Sequence, residues 1–526
     1  MHLGVIVCVV ISVVCSSALE QGRSGWTGKL LVVPMDGSHW TGVKAVAEEM
    51  GRRGHTVIVV IPEISMRLGP GKHYTTKTFP VPYGMDLFDQ MIGEHVRELT
   101  EPELSLMQSV SLKVDFMKKA LNYMTSTTEY FLKNQELVEF LREQNFDAVL
   151  TDPALPMGAI LAYNLSVPAV YMLRGILCEA AATACPDPPS YVPRFFTQHT
   201  DRMTFGQRVL NVFVSMLEPL ICKLAYWSFE EVASNFLQRD VSLIEILSTA
   251  AVWLIRYDFS LEFPKPLMPN MQLIGGINCG IRNPLKKEVE EFVKGSGEHG
   301  IVVFSLGSLV SSMPKEKAAI FFKAFSVIPQ RVLWRYTGEM PDNVPENVKL
   351  MKWLPQNDLL GHPKAKAFIT HGGTHGIYEG ICHGVPMVML PLFGDQGDNV
   401  HRVATRGVGV VLSIHDITAE TLGDALNTVI NDSSYKQRME KLSAIHNDRP
   451  IQPLDLAVYW TEFVMRHKGA DHLRPAAHDL NWLQYHSLDV IGFLLFIVLI
   501  VTLATFKCCS LCWRRCCRKS QKRKED

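Results

Sequence analysis

Trp353-Leu-Pro-Gln-Asn-Asp-Leu-Leu-Gly-His362, Ala367-Phe-Ile-Thr-His-Gly-Gly-Thr-His-Gly-Ile-Tyr-Glu379 and Pro391-Leu-Phe-Gly-Asp-Gln396 form one connected run near the middle of the second half of the chain. Ala367–Thr370 reads as a short buried strand, Gly372-Gly373 as a tight turn without side chains, and Thr374 as the cap of a helix running to Cys382. A strand that ends in glycines and opens a helix leaves several backbone N–H groups without partners. With the helix dipole behind them they form an anion site. Val385–Leu390 reads as the next buried strand. Asp395-Gln396 then sits just past its carboxyl end, the edge at which open α/β sheets bind ligands. The stretch predicts a phosphate held at a helix tip, although a plain strand–turn–helix joint has the same local pattern.

Working outward, 526 residues exceed one hydrophobic core and predict two domains with additions. A net charge of −1 gives no reason to expect nucleic acid as a partner. Mean hydropathy is slightly positive, and two segments account for part of it. Leu3–Cys15 is apolar apart from Ser12 and precedes Ser16-Ser17-Ala18, which predicts a signal peptide over 1–18. No basic residue precedes the apolar run, so an uncleaved anchor is the alternative. Val490–Phe506 carries no charge and predicts a transmembrane helix over 487–506. The tail 507–526 is basic, with Lys507, Arg514, Arg515, Arg518, Lys519, Lys522, Arg523 and Lys524. The positive-inside rule puts that tail in the cytosol and the bulk of the chain in a lumen. Lys522 and Lys524 match a dilysine pattern of endoplasmic-reticulum residents.

Of twelve cysteines, Cys8 and Cys15 fall in the signal segment, and Cys508, Cys509, Cys512, Cys516 and Cys517 crowd the membrane exit. The latter predict acylation rather than zinc. The five others, Cys178, Cys185, Cys222, Cys279 and Cys382, are too scattered to predict a disulfide framework. Their odd number leaves at least one unpaired within the chain.

Lys29–Val33, a helix Thr41–Arg53 and Thr56–Ile61 make a βαβ opening and predict a parallel sheet. Ala148–Thr151, Leu165–Leu173, Val252–Ile255 and Met271–Ile274 read as its later strands. The stretches from Met66 to Ser126 and Ile176 to Phe236 are long apolar insertions, predicted either to wall a pocket for a lipophilic ligand or to pack against the sheet. Turn residues between Gly275 and Gly300 mark a boundary. A second α/β series follows: Ile301–Ser305, helix Lys315–Phe325, Val332–Tyr336 and the opening stretch. Helices are predicted at Thr418–Ile430, Arg438–Lys441 and Pro453–His467. The loop after the first strand lacks Gly-x-Gly-x-x-Gly, and neither a P-loop nor a Gly-x-Ser-x-Gly elbow occurs.

His39 follows the first strand and Asp152 follows a later one, so both lie on one sheet edge. A carboxylate on one imidazole nitrogen fixes the tautomer and leaves the other nitrogen to take a proton. From spacing alone, an exposed loop histidine is the commoner reading. His371, His375 and Glu379 have the spacing of a zinc set, but glycines place His371 ahead of the helix, and no metal is predicted. Arg256 and Arg174 stand at strand ends. Asn164-Leu-Ser166 and Asn431-Asp-Ser433 are glycosylation sequons, Asn431 the better exposed by its surroundings.

The run from Trp353 to Gln396, in its His-Gly-Gly-Thr-His-Gly form, resembles the nucleotide-sugar signature of the UDP-glycosyltransferases, and in particular the animal UDP-glucuronosyltransferases. The C-terminal third resembles their first subfamily. The resemblance implies a GT-B architecture: two Rossmann-like doubly wound α/β domains facing a cleft. It places an acceptor-binding domain over 19–280, a UDP-sugar-binding domain over 281–440, and helices over 441–486 that return to the first domain. It implies that His39, in Gly-Ser-His-Trp, and Asp152, in Thr-Asp-Pro, are a catalytic dyad. Trp353 and Gln356 are expected at the base, Glu379 at the ribose, and Ser308, His371, Gly373, Thr374 and His375 around the diphosphate. Asp395 and Gln396 are expected at the sugar and Asn357 orienting the loop. Arg256, with Arg174 as the other candidate, is expected to meet the sugar carboxylate. The local Ile-Arg-Tyr-Asp-Phe is shorter than the family's Arg-Thr-Tyr-Trp-Asp-Phe, which leaves the register at Arg256 open.

The expected activity is inverting transfer of glucuronic acid from UDP-glucuronate, a co-substrate, to a hydroxyl, carboxyl or amine of small lipophilic acceptors. No cofactor is expected. Membrane and a homo- or hetero-oligomer are the expected partners. The alternatives are another UDP-sugar, UDP-glucose first, or a lumenal binding protein without catalysis.

Overall fold

The structure, a computed structural model, describes residues 26–100, 106–176, 178–341 and 343–522. The expected signal segment and Lys524 lie outside the described residues. Two all-parallel sheets organise the chain up to Leu473. The first contains β1 (Lys29–Val33), β2 (Thr56–Pro62), β3 (Thr75–Phe79), β4 (Ala148–Thr151), β5 (Ala169–Leu173), β6 (Val252–Ile255) and β7 (Met271–Leu273), in the order β3-β2-β1-β4-β5-β6-β7. The second contains β8 (Ile301–Ser305), β9 (Arg331–Arg335), β10 (Val348–Met351), β11 (Ala365–Thr370), β12 (Met387–Met389) and β13 (Gly409–Val411), in the order β10-β9-β8-β11-β12-β13.

The central strands are runs of Val, Ile, Leu and Ala because helices cover both sheet faces. β4 and β8 are buried at every position. Each sheet reverses its winding once, between β1 and β4 and between β8 and β11. At such a point the two following loops diverge and leave a crevice at the carboxyl edge. His39 and Asp152 follow β1 and β4; Gly307-Ser308 and His371–His375 follow β8 and β11. Topology alone thus brings these four segments to two crevices.

Three strands escaped the sequence reading: β3, β10 and β13, all at sheet edges. Edge strands are short and half-solvated, so they lack the buried run that marks the central ones; β3 reads Thr-Thr-Lys-Thr-Phe with only Phe79 buried. The predicted strand Leu165–Leu173 is corrected to a helix, Met157–Leu165, and a strand beginning at Ala169. That helix is buried on nearly every side, so it carries no amphipathic period to read. The helix after β1 begins at His39 rather than Thr41.

The helix Pro453–His467 packs against the helix His39–Arg52, adding Ala457, Val458, Val464 and Met465 to the core around Trp40. Arg53 ties the two together through Asp455 at 3.0 Å and Glu462 at 3.4 Å. The helix Phe205–Leu237, in one of the apolar insertions, does not simply pack inward: Phe205, Val209, Phe213, Met216, Leu220 and Trp227 are exposed. It and the helix Leu488–Lys522 are both long and apolar enough to cross a membrane. The latter continues past Phe506 into the basic tail, well beyond the expected 487–506. It belongs to a separate compact unit, Arg474–Asp526.

The cysteine expectation is also corrected. Cys178 pairs with Cys222 and Cys279 with Cys382, leaving Cys185 buried and unpaired. Cys279 lies on the segment joining the two sheets and Cys382 ends the helix Thr374–Cys382, so this bridge closes a separation of 103 residues. Replacing both by serine is expected to lower unfolding stability by about 3–5 kcal/mol, mostly by freeing the unfolded chain. Thermal and denaturant midpoints of the double variant check it.

Candidate active site

His39 opens its helix with Ser38 ahead of it, which brings the imidazole to the sheet edge. Its Nδ1 lies 2.6 Å from Asp152 Oδ2. Asp152 is wholly buried, whereas the His39 side chain is 30% exposed. The contact is short enough for Nδ1 to carry the proton, which leaves Nε2 as the basic nitrogen. Burial drives the Asp152 carboxyl upward, but His39, Arg256 and the Ala154 N–H outweigh it and hold it below its ordinary range. Asp152 therefore stays a carboxylate at neutral pH.

Arg256 follows β6 directly. It is buried, with one guanidinium nitrogen 2.7 Å from His375 Nε2 and the other 3.2 Å from His39 Nδ1 and 3.9 Å from Asp152. A protonated Nδ1 has no lone pair to offer, so the contact with His39 is electrostatic. His375 is different: burial, then Arg256, His39 and Arg67, press its pKa well below the usual value. Neutral His375 accepts from Arg256 and orients it. Arg174 is committed elsewhere, to Glu262 at 2.6 Å and Asn399 at 3.1 Å.

The second crevice opens into a cavity of about 600 Å³ lined from both sheets, by Ser38, Thr41 and Arg67 on one side and Ser308, Trp353 and Glu379 on the other. The helix Thr374–Cys382 has Gly373 as its N-cap and no capping side chain. This corrects the expectation for Thr374, which is the first helical residue; its hydroxyl lies 3.5 Å from Asp395 Oδ2. The leading amides of the helix remain unclaimed by any cap side chain. The His371 ring is wedged between two glycines: a Cβ at Gly307 or Gly373 would come within 2.5 Å of it. Burial pushes its pKa down to about 4, so at neutral pH it offers a single N–H.

Trp353 is 53% exposed, a flat face toward the cavity. Gln356 Nε2 donates to Glu379 Oε2 at 2.6 Å. Asn357 bridges the linker: its amide donates to the carbonyls of Asn278 and Ile281, and its oxygen lies 2.8 Å from His383 Nε2. His371, His375 and Glu379 do not converge on one point, each having a different neighbour. Gln396 is buried, and its side-chain oxygen accepts from the Leu392 and Phe393 amides, so it shapes the loop after β12. Asp395 accepts from Asn399 at 2.9 Å. Asn431 is exposed; Asn164 is half-buried and accepts from Arg142 at 2.9 Å.

Burial pushes the Glu379 carboxyl up to about 7, against Gln356 and Arg67. The folded protein then holds a proton on Glu379 between its ordinary value of 4.5 and about 7, where the unfolded chain has lost it. Stability accordingly falls as pH rises through that window. Glu379→Gln is expected to raise the unfolding midpoint of the nucleotide-free protein above about pH 7, the gain vanishing toward pH ~4. The same variant is expected to weaken uridine binding by about tenfold at pH ~8, where the carboxylate would accept from the ribose.

Two arginines were not legible in advance. Arg67 and Arg335 both face the Trp353 ring, with Cζ at 4.6 and 5.3 Å from its centre. Neither belongs to a motif; each is placed only by tertiary packing.

A family model described as UDP-glucoronosyl and UDP-glucosyl transferase matches residues 28–523. The chain is 51% identical to UDP-glucuronosyltransferase 1A6 of Homo sapiens, over 93% of this chain and 92% of that protein. It is 49% identical to UDP-glucuronosyltransferase 1A1 of Homo sapiens, over 98% and 95%. It is 53% identical to UDP-glucuronosyltransferase 1A4 of Oryctolagus cuniculus, over 93% and 92%. Among solved structures, CalG4, the calicheamicin glycosyltransferase, superposes with a TM-score of 0.53 at 16% identity, covering 84% of this chain and 99% of that one. The glycosyltransferase VinC gives 0.53 at 18% identity, covering 84% and 100%. These similarities set the two facing parallel sheets in the GT-B fold, and the sequence matches carry the rest: the protein is a glycosyltransferase that belongs to the UDP-glucuronosyl and UDP-glucosyl transferase family.

Proposed function

We propose that the protein transfers glucuronic acid from UDP-glucuronate to a hydroxyl, carboxyl or amine of small lipophilic acceptors, with inversion to a β-glucuronide. The observation that carries this reading is the 2.6 Å contact between His39 and buried Asp152 beside a cavity ending at an uncapped helix. Nε2 of His39 takes the acceptor proton as the acceptor oxygen bonds to the anomeric carbon. The bond from that carbon to the diphosphate breaks, and UDP leaves with the electron pair. The imidazolium is stabilised by Asp152. The helix amides and the His371 N–H receive the charge gathering on the diphosphate, a role that needs no metal. Trp353 takes the uracil, Gln356 and Glu379 the ribose, Ser308 the phosphates, and Asp395 the sugar hydroxyls.

Arg256 is assigned to the sugar carboxylate because it adjoins the His39–Asp152 pair, whereas Arg174 pairs with Glu262 on another side. The family name also covers UDP-glucosyl transfer, which makes UDP-glucose the second reading. Turnover of a simple phenol with each donor, and the anomeric configuration of the product, separate the two. A preference for UDP-glucose removes the role given to Arg256. The apolar helix Leu488–Lys522 with its basic end supports a single-pass anchor in the endoplasmic-reticulum membrane, and the two disulfides support a lumenal catalytic portion. Self-association within the membrane completes the reading.

A further inference from the structure

Arg67 crosses the cleft. It lies on the loop after β2, whose Met66 and Arg67 amides donate to Asp36 at 2.6 and 3.0 Å. The loop is thereby fastened to the segment that precedes His39. Its guanidinium donates to Thr41 Oγ1 at 3.2 Å and sits 4.6 Å from the centre of the Trp353 ring. Thr41 belongs to the helix His39–Arg52, whereas Trp353 belongs to the second sheet's loops, so one side chain bridges the two halves of the cavity. Among the described residues no carboxylate stands within ion-pair distance of Arg67. Asp36 and Glu379 act on it only from farther off, and burial lowers its pKa. Arg335, in contrast, is engaged by the carbonyls of Gly307 and Ser308. Of the two cations at Trp353, Arg67 is the one without a strong fixed partner.

A planar guanidinium over an indole occupies the kind of place a nucleobase takes, and the same guanidinium stacks equally well on a nucleobase. We propose that Arg67 is a nucleotide-positioning residue: the uracil enters between guanidinium and indole, so that the base is clamped by Trp353 from one half and Arg67 from the other. The long side chain yields the thickness of one ring without moving its anchored loop. The inference rests on Trp353 being the base platform of the function proposed above.

Binding of uridine and of UDP to the full-length protein in detergent, for the parent, Arg67→Ala, Arg67→Lys and Trp353→Ala, tests it. Arg67→Ala is expected to weaken uridine and UDP by the same factor, about five- to tenfold, because the contact is to the base. KM for UDP-glucuronate should rise by that factor while kcat and the acceptor KM stay within about twofold. Arg67→Lys, which keeps the charge without the plane, should recover only part of the loss and guards against a folding effect. Uridine affinity unchanged or tightened in Arg67→Ala, or a loss confined to UDP, overturns the clamp. Trp353→Ala separates the two readings: if it leaves uridine binding intact, the platform itself falls; if it abolishes binding while Arg67→Ala does not, only the clamp falls.

Discussion

His39→Ala is expected to lower turnover by about 10³- to 10⁴-fold, the range that removal of a positioned general base commands. UDP affinity should stay within a few-fold of the parent, because the role proposed for His39 is to take the acceptor proton and not to hold the nucleotide. The expected signature is therefore a collapse of kcat with KM for the donor nearly constant, measured with a phenolic acceptor. A variant with full activity excludes His39 as the base. A variant that also loses UDP gives His39 a part in holding the nucleotide.

Asp152 carries the second large effect, and it is double. Asp152→Asn keeps the shape but offers its amide where the imidazole N–H must donate, so the productive tautomer is lost; turnover should fall about 10²- to 10⁴-fold. The loss should be strongly non-additive with His39→Ala, since the two residues act as a unit. Asp152→Ala has a further consequence for folding. Arg256 is 5% exposed, and Asp152 is the nearest carboxylate to it, at 3.9 Å. Removing that charge leaves the buried cation with only the more distant carboxylate of Asp395, at a cost of about 3 kcal/mol. Asp152→Ala should thus unfold at a clearly lower temperature than His39→Ala, although the dyad is broken in both. Equal midpoints would show that Arg256 is neutralised by something else.

The interior of both sheets was legible because buried parallel strands are contiguous apolar runs, β1 being closed by Pro34 and β4 by Asp152. β1, β4, β6 and β8 have the bounds their residues announce. The edges were not, since β3, β10 and β13 look like loops until a neighbour pairs with them. The helix Met157–Leu165 misled for the opposite reason: total burial erases periodicity. His39 and Asp152 could be placed on a common edge from strand order, yet their contact is a fact of packing. Gln396 adds a contact that no motif announces, its amide oxygen accepting from the backbone of its own loop. Arg67 shows a limit of motif reading, since it sits in a stretch with neither period nor signature. Which four of the five cysteines pair was likewise open until the chain was folded.

The contrast between a sealed carboxylate and a partly open imidazole has a bearing on how each cycle ends. Asp152 is too firmly ionised to receive a proton, and it has no route to water. Whatever proton the imidazole captures must leave by the imidazole's own solvent-facing side once the conjugate has gone. If His39 is the base as proposed, resetting the enzyme requires an emptied acceptor site, with water reaching the ring that the departing product had covered.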